Sequence, residues 1–315
     1  MGVVKAARRS LVLGTRGSRL AIWQAEWVQA RLREIAPDVA VTLQRIKTSG
    51  DKILDVPLAK IGGKGLFVKE IEEALLQGTI DLAVHSMKDV PTVLPEGLDI
   101  LCVPEREDPR DALVSRNGAS LDQLPKGARV GTSSLRRQAQ LLHRRPDLKI
   151  EVLRGNLDTR LRKLRDGEFE AIVLAAAGLR RMGWTEQVTE YLPAGVSLPA
   201  IGQGALGIEG RRDDAFVRGL VSALEHPPTR AAVTAERALL EKMEGGCQVP
   251  IAAHATIAGD RLRLEGLVAS VDGRQLVQDS VEGPAADARQ LGTRLGEQLL
   301  RRGGDAILKE IYGRA

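Results

Sequence analysis

Residues 130–141 read Val-Gly-Thr-Ser-Ser-Leu-Arg-Arg-Gln-Ala-Gln-Leu. A short apolar run ends in three hydroxyl residues, and an arginine-bearing helical pattern begins at once. That is a strand handing over to a helix N-terminus. Residues 11–18, Leu-Val-Leu-Gly-Thr-Arg-Gly-Ser, repeat the design ahead of a helical pattern at Arg19–Ile35. Free backbone N–H groups and the helix dipole favour an anion at such a handover. In the plainer reading Ser18 and Ser134 are ordinary N-caps. Arginine at both handovers favours the anion site.

Outward from these two units, short β-branched runs alternate with helical patterns, the mark of an α/β fold. Ser10–Gly14, Val39–Ile46 and Asp81–His85 read as strands, with helices at Arg19–Ile35 and Gly65–Gln77. The charged, proline-bearing run Glu105–Asp111 marks a crossing between domains. A second block carries strands at Arg129–Thr132, Lys149–Leu153 and Ala171–Ala175, with helices at Leu135–Arg144 and Thr159–Arg165. Ser197–Gly204, rich in Gly and Pro, reads as the return crossing, followed by a helix at Phe216–Leu224. After Pro227 come a capped helix, Thr229–Glu244, strands around His254–Ile257, Leu262–Ala269 and Gln275–Val281, and a final helix pair. The expected division is 1–104 with 205–226, then 105–204, then a small α+β domain at 227–315.

The 315 residues suffice for three such domains. With 43% hydrophobic and 28% charged residues the chain is globular, not disordered. Aromatics are only 3%, which argues against base stacking on single-stranded nucleic acid. The net charge is +5, and arginine (34) far outnumbers lysine (12). Arginine suits two-pronged grips on carboxylates. Two cysteines make no disulfide framework, which points to a reducing cytoplasm. Arg8-Arg9 precedes an apolar stretch too short for an export signal, and no window reaches a membrane span.

Residues 129–165 hold eleven basic against three acidic residues. This run can be a solvated helix face or a nucleic-acid stripe. However, Arg136, Arg137 and Arg154 stand at carboxyl ends of strands, where open α/β sheets bind small ligands. A polyanionic small molecule fits there better than a duplex. His85, Ser86, Lys88 and Asp89 follow a buried strand. Asp89 can either stay ionised and face a developing cation or shuttle a proton if desolvated. Gly62-Gly63-Lys64-Gly65 lacks the Ser/Thr of a nucleotide loop and suits a flap near the cleft. Cys247 follows Gly-Gly with no His or Cys nearby, which gives little support to a metal site or a Cys–His dyad. A helix C-terminus disfavours thiolate, which leaves permanent covalent attachment open. Cys102 reads as core filler.

The stretches GTRGSRLAIWQA, PLAKIGGKGLFVKEIEEALL, DLAVHSMKDVP, EREDPRDA, VGTSSLRRQAQL, LRGNLDTRL, LPAIGQGALGIE and EGGCQVPI closely resemble the porphobilinogen deaminase (hydroxymethylbilane synthase) family. The resemblance implies two doubly wound lobes of the periplasmic-binding-protein type II kind plus a small α+β domain. It implies a transferase that condenses four porphobilinogen molecules head to tail, releasing ammonia, on a covalent dipyrromethane. The implied thioether is to Cys247, and the implied catalytic acid is Asp89. Each pyrrole bears acetate and propionate, so the growing chain is a polyanion. The resemblance then assigns Lys88, Thr132, Ser133, Ser134, Arg136 and Arg137 to the cofactor. It assigns Arg16, Ser18, Gln24, Lys64, Arg154, Arg160 and Arg181 to the substrate. Arg19 departs from the family pattern, which has proline there in many members.

The rivals are a non-catalytic two-lobed anion-binding protein and a nucleic-acid-binding protein using residues 129–165. The favoured expectation is a cytoplasmic monomer, bound to neither nucleic acid nor membrane and holding no metal.

Overall fold

Leu82–Ser86 is almost wholly buried, as a central strand must be when helices cover both faces of its sheet. The computed structural model describes residues 10–52, 68–244 and 249–313. Arg8, Arg9, Lys64, Cys247 and the first residues of the helix expected at Gly65–Gln77 lie outside them. The chain begins β1 (Ser10–Thr15), α1 (Arg19–Ile35), β2 (Ala40–Arg45), α2 (Ser49–Lys52), α3 (Lys69–Leu76), β3 (Leu82–Ser86) and β4 (Leu98–Cys102). It continues β5 (Asp111–Ser115), β6 (Arg129–Gly131), α4 (Leu135–Arg144), β7 (Lys149–Glu151), α5 (Leu157–Arg165), β8 (Ala171–Ala175), α6 (Ala176–Arg181) and β9 (Glu190–Leu192). Then follow β10 (Leu206–Arg211), α7 (Ala215–Val221), α8 (Pro227–Lys242), β11 (Ile251–Ala258), β12 (Arg261–Ala269), β13 (Leu276–Pro284), α9 (Ala288–Leu299) and α10 (Asp305–Tyr312).

Two five-stranded sheets share one plan, β2-β1-β3-β10-β4 and β7-β6-β8-β5-β9. Three strands of each are parallel, and the fourth, β10 or β5, enters antiparallel. Both antiparallel strands are the first to form after a crossing between lobes. In β5 and β8, Leu113, Ala171 and Val173 pack on one face, while Val114, Ile172 and Leu174 pack on the other. That alternation is what covering both faces of a strand requires. The architecture is therefore two doubly wound α/β lobes, as expected.

A third, antiparallel sheet, β11-β12-β13, is covered by α8 and α9. The two helices nearly touch at Gly292, where a Cβ would lie 2.1 Å from the Ala235 carbonyl oxygen.

The crossings run side by side. A Cβ on Gly204 would meet the Glu107 carbonyl oxygen at 2.3 Å, so only glycine lets the segments lie this close. Buried Glu236 of α8 ties both crossings to the third sheet. It pairs with Arg106 at 2.6 Å and accepts from the Gly202 and Ala255 backbone N–H groups at 2.7 and 2.9 Å. Across the other side, Arg19 of α1 pairs with Asp158 of α5 at 2.6 Å and stacks over Trp184.

Candidate functional site

The strand ends do gather the expected residues. From the first lobe comes the single turn Met87–Asp89 that follows β3. It presents Asp89 to solvent and half-buries Lys88. From the second lobe come Arg136 and Arg137 at the start of α4, Arg154 after β7, and Arg160 on α5.

Their charges act on one another across the gap. Burial pulls the Lys88 ammonium down to about 8, against the pull of Asp89 and with the push of Arg137. Burial likewise brings Arg160 down to about 10, with Arg137 and Arg154 pushing the same way and Asp89 opposing. Like charges crowded in a low-dielectric gap raise one another's cost until an anion enters.

Asp111, which the sequence reading passed over as part of a charged break, is the organiser of this wall. It is fully buried at the start of β5. Its Oδ2 accepts from Arg136 Nη1 at 2.8 Å and Ser197 Oγ at 2.7 Å. Its Oδ1 accepts from Arg136 Nη2 (3.1 Å), Arg137 Nη2 (2.7 Å) and Gln203 Nε2 (2.8 Å). The two guanidiniums hold its carboxyl far below the usual carboxylate range, although burial alone would raise it. Arg136 also donates to the Leu198 carbonyl at 2.6 Å, and Arg137 to that of Val173 at 2.8 Å. Both arginine forks are thus committed inside the protein, which the strand-end position alone did not reveal. Arg136 Nε and Arg154 Nη2 remain buried without a hydrogen-bond partner among the described residues. A carboxylate from outside the chain fits those orphaned donors.

The hydroxyls are dual. Ser18 and Ser134 cap α1 and α4, accepting from Ala21 N at 3.3 Å and Arg137 N at 3.4 Å. The plainer reading is correct for their lone pairs, and each O–H proton is left to donate. Thr132 Oγ1 accepts from Ser134 N, and Ser133 Oγ donates to the Leu153 carbonyl at 2.6 Å. Gln24 is buried, its Nε2 donating to Ser86 Oγ at 3.0 Å. Arg16 is half-buried in the β1–α1 turn. Arg181 reaches the crossing, donating to the Gly204 carbonyl at 2.7 Å.

One sequence reading changes. His85 does not face the cleft: it lies buried in β3, its Nε2 2.8 Å from Glu209 Oε2. Within the basic run 129–165, Arg129, Arg144 and Arg145 pair with Glu170, Asp122 and Asp147, which weighs against an open stripe there, as expected. Cys102 is buried, which pushes its thiol up to about 12 and leaves it inert at neutral pH.

Glu72 of α3 sits beside the His85–Glu209 pair. Burial, then repulsion from Glu209, raises it to about 7. A carboxyl raised in the folded state loses stability as pH climbs from its unfolded value, near 4.5, through 7. Glu72→Gln therefore raises the melting temperature by a few degrees at pH 8 and leaves it unchanged near pH 4, as a calorimetric pH series will measure. An equal gain at both pH values contradicts this.

Comparison with known proteins places the chain. The family model "Porphobilinogen deaminase, dipyromethane cofactor binding domain" matches residues 11–219, and "Porphobilinogen deaminase, C-terminal domain" matches 230–301. Porphobilinogen deaminase of Pelobacter propionicus is 60% identical over 306 residues, 97% of this chain and 98% of that protein. That of Syntrophotalea carbinolica is 61% identical over 302 residues, 96% of each. A TRAP periplasmic solute binding protein from Desulfovibrio salexigens covers 70% of this chain and 73% of its own, with 13% identity and TM-score 0.45. The two-lobed fold is read from the strand orders of this chain itself. With family models covering most of its length and relatives near 60% identity along nearly all of it, the chain belongs to the porphobilinogen deaminase family.

Proposed function

We propose that Asp89 is the catalytic carboxylate of this enzyme and that Cys247, outside the described residues, is the attachment point of its dipyrromethane. The activity is the family's own: a transferase that joins four porphobilinogen molecules head to tail into hydroxymethylbilane, with loss of ammonia, for tetrapyrrole synthesis. When bound, the dipyrromethane supplies the pyrrole carbon to which the first substrate is joined. Lys88, Thr132, Ser133, Ser134, Arg136 and Arg137 would hold its acid side chains. Arg16, Ser18, Gln24, Lys64, Arg154, Arg160 and Arg181 take the acids of the incoming substrate.

At each addition the aminomethyl C–N bond breaks and ammonia leaves. A C–C bond then forms to the neighbouring pyrrole, whose α-proton departs. The substrate ring becomes positive as ammonia leaves. The Asp89 carboxylate, set near the cationic Lys88 and Arg160, stabilises that charge more than it stabilises the neutral substrate. The arginines orient the ring through its carboxylates, each charge-assisted contact contributing ~1.5–3 kcal/mol.

What supports this reading is the placement of Asp89 on the exposed turn that ends β3, next to Lys88 and close enough to Arg160 of the second lobe for its charge to act there. It argues against a passive anion-binding protein, whose cleft needs no carboxylate among its arginines. We further place the lobe boundaries at 1–104 with 205–226 and at 105–204, and the third domain at 227–315. The protein acts as a cytoplasmic monomer independent of nucleic acid. Its two cysteines support that compartment, the ion pairs of Arg129, Arg144 and Arg145 weigh against a nucleic-acid stripe, and no described helix is long and apolar enough to cross a membrane.

Arg154→Ala tests the assignment. It stalls elongation, so intact mass spectra show enzyme carrying one to three added pyrrole units; a wild-type product profile refutes the role.

A further inference from the structure

Next to the Asp89 turn, and lined by none of Arg136, Arg137, Arg154 and Arg160, a hollow of about 300 Å³ opens between β4, residues 87–94 and α8. Its floor is apolar: Met87, Leu98 and Val233 are almost fully buried there. Its rim is cationic, with Arg212, Arg230, Arg237 and Arg289 against one lining carboxylate, Asp99.

Two of these arginines are already answered. Arg230 pairs with Glu225 at 2.7 Å and Arg289 with Glu241 at 2.8 Å. The other two are not. Arg212 donates to the Leu98 carbonyl at 3.3 Å. Arg237 donates to the carbonyls of Val90 (3.0 Å), Pro91 (2.5 Å) and Thr92 (3.4 Å). Neither has a carboxylate within ion-pair distance among the described residues. Burial lowers the Arg237 guanidinium, and Glu241 one turn along α8 only partly offsets it. A guanidinium held by neutral carbonyls gains from exchanging them for a carboxylate, since charge-assisted bonds are about twice as strong.

We propose that this hollow is a second binding site, for a small amphipathic dicarboxylate with a flat apolar body between its acids. The body covers the Met87–Val233 floor, and the acids reach Arg237 and Arg212. A volume near the lower end of the ~300–1,000 Å³ usual for ligand sites excludes a finished linear tetrapyrrole. The site is coupled to the chemistry, because Arg237 fastens the three residues that follow Asp89. A ligand that draws its guanidinium away loosens that segment.

The probe is terephthalate, titrated calorimetrically into the full-length holoenzyme. A saturable site is expected that survives Arg154→Ala, apart from any binding in the cleft, weakens at least tenfold with Arg237→Gln and about threefold with Arg212→Ala, and takes neither terephthalamide nor inorganic phosphate with comparable affinity. Amide exchange at residues 88–94 rises on saturation. Arg212→Ala changes a rim residue and decides the matter if Arg237→Gln fails to fold. Absence of saturable heat, affinity unchanged by Arg212→Ala, or loss of binding in Arg154→Ala overturns the site. Unchanged exchange at 88–94 overturns the coupling. None of these readouts depends on turnover, so the roles of Asp89 and Cys247 stand or fall separately.

Discussion

Asp89→Ala lowers turnover by at least about 10³-fold while the protein remains folded, because a preorganised charge facing a developing one is among the largest catalytic contributions. The side chain is exposed at the end of a single turn, so removing it opens no cavity. Substitutions at such positions change stability by about ±0.5 kcal/mol. The fold of the turn does not rest on it: the Met87 backbone N–H bonds to the Ala205 carbonyl at 3.0 Å, and Arg237 holds the carbonyls beyond. A porphobilinogen consumption assay beside a thermal melt separates the two effects. Near-normal turnover in a well-folded variant removes Asp89 from the chemistry.

The opposite pattern is expected at Asp111. Its carboxylate is fully buried and answers two buried guanidiniums. Removing one partner from a buried charge pair leaves the other uncompensated, at about 3–5 kcal/mol. Asp111→Ala therefore lowers the melting temperature of the second lobe by roughly 10 °C. The variant also loses activity, since Arg136 and Arg137 then lack the carboxylate that aims them. Serine and glutamine from the return crossing, Ser197 and Gln203, lose the same acceptor, so the lobe junction loosens as well. Calorimetry of the whole chain will show the low-melting transition. A melt within about 2 °C of the parent means the arginines find other partners and the cluster is not the keystone of the wall.

The two prediction targets differ in how legible they were. Asp89 is marked by position: a carboxylate beside a lysine, just past an apolar run, at the end of a strand. Asp111 carries no such local mark, because its partners lie 25 and 26 residues further along and its neighbours are charged. For the same reason β5 was not read as a strand: Asp111 looked like the end of a solvated break. The β10 strand was hidden differently. Its sequence, Leu-Gly-Ile-Glu-Gly-Arg, contains two glycines that dilute any strand signal. Packing requires them, since a Cβ on Gly207 would meet Met87 Sδ at 2.4 Å and one on Gly210 would meet Leu101 at 2.7 Å.

Long strands and helices with local periodicity were legible, as at Arg19–Ile35 and Leu135–Arg144, whose bounds the structure reproduces. Strand β9 was missed because three residues carry no period. The arginine positions were legible as strand-end cations, whereas their internal partners required the tertiary fold. His85 illustrates the converse. Next to Ser86 and Lys88 it looked like part of the active loop, yet strand alternation turns it into the core against Glu209.

The central claim is that an arginine-walled cleft between two lobes works on a pyrrole chain anchored at one sulfur. Intact-mass measurement of the active enzyme, followed by peptide mapping, tests it most directly. The account predicts a mass above the 34.0 kDa of the sequence by one dipyrromethane, carried on the peptide containing Cys247 and missing from Cys247→Ser. A fully active preparation with the bare polypeptide mass, or with the added group on any other residue, contradicts it.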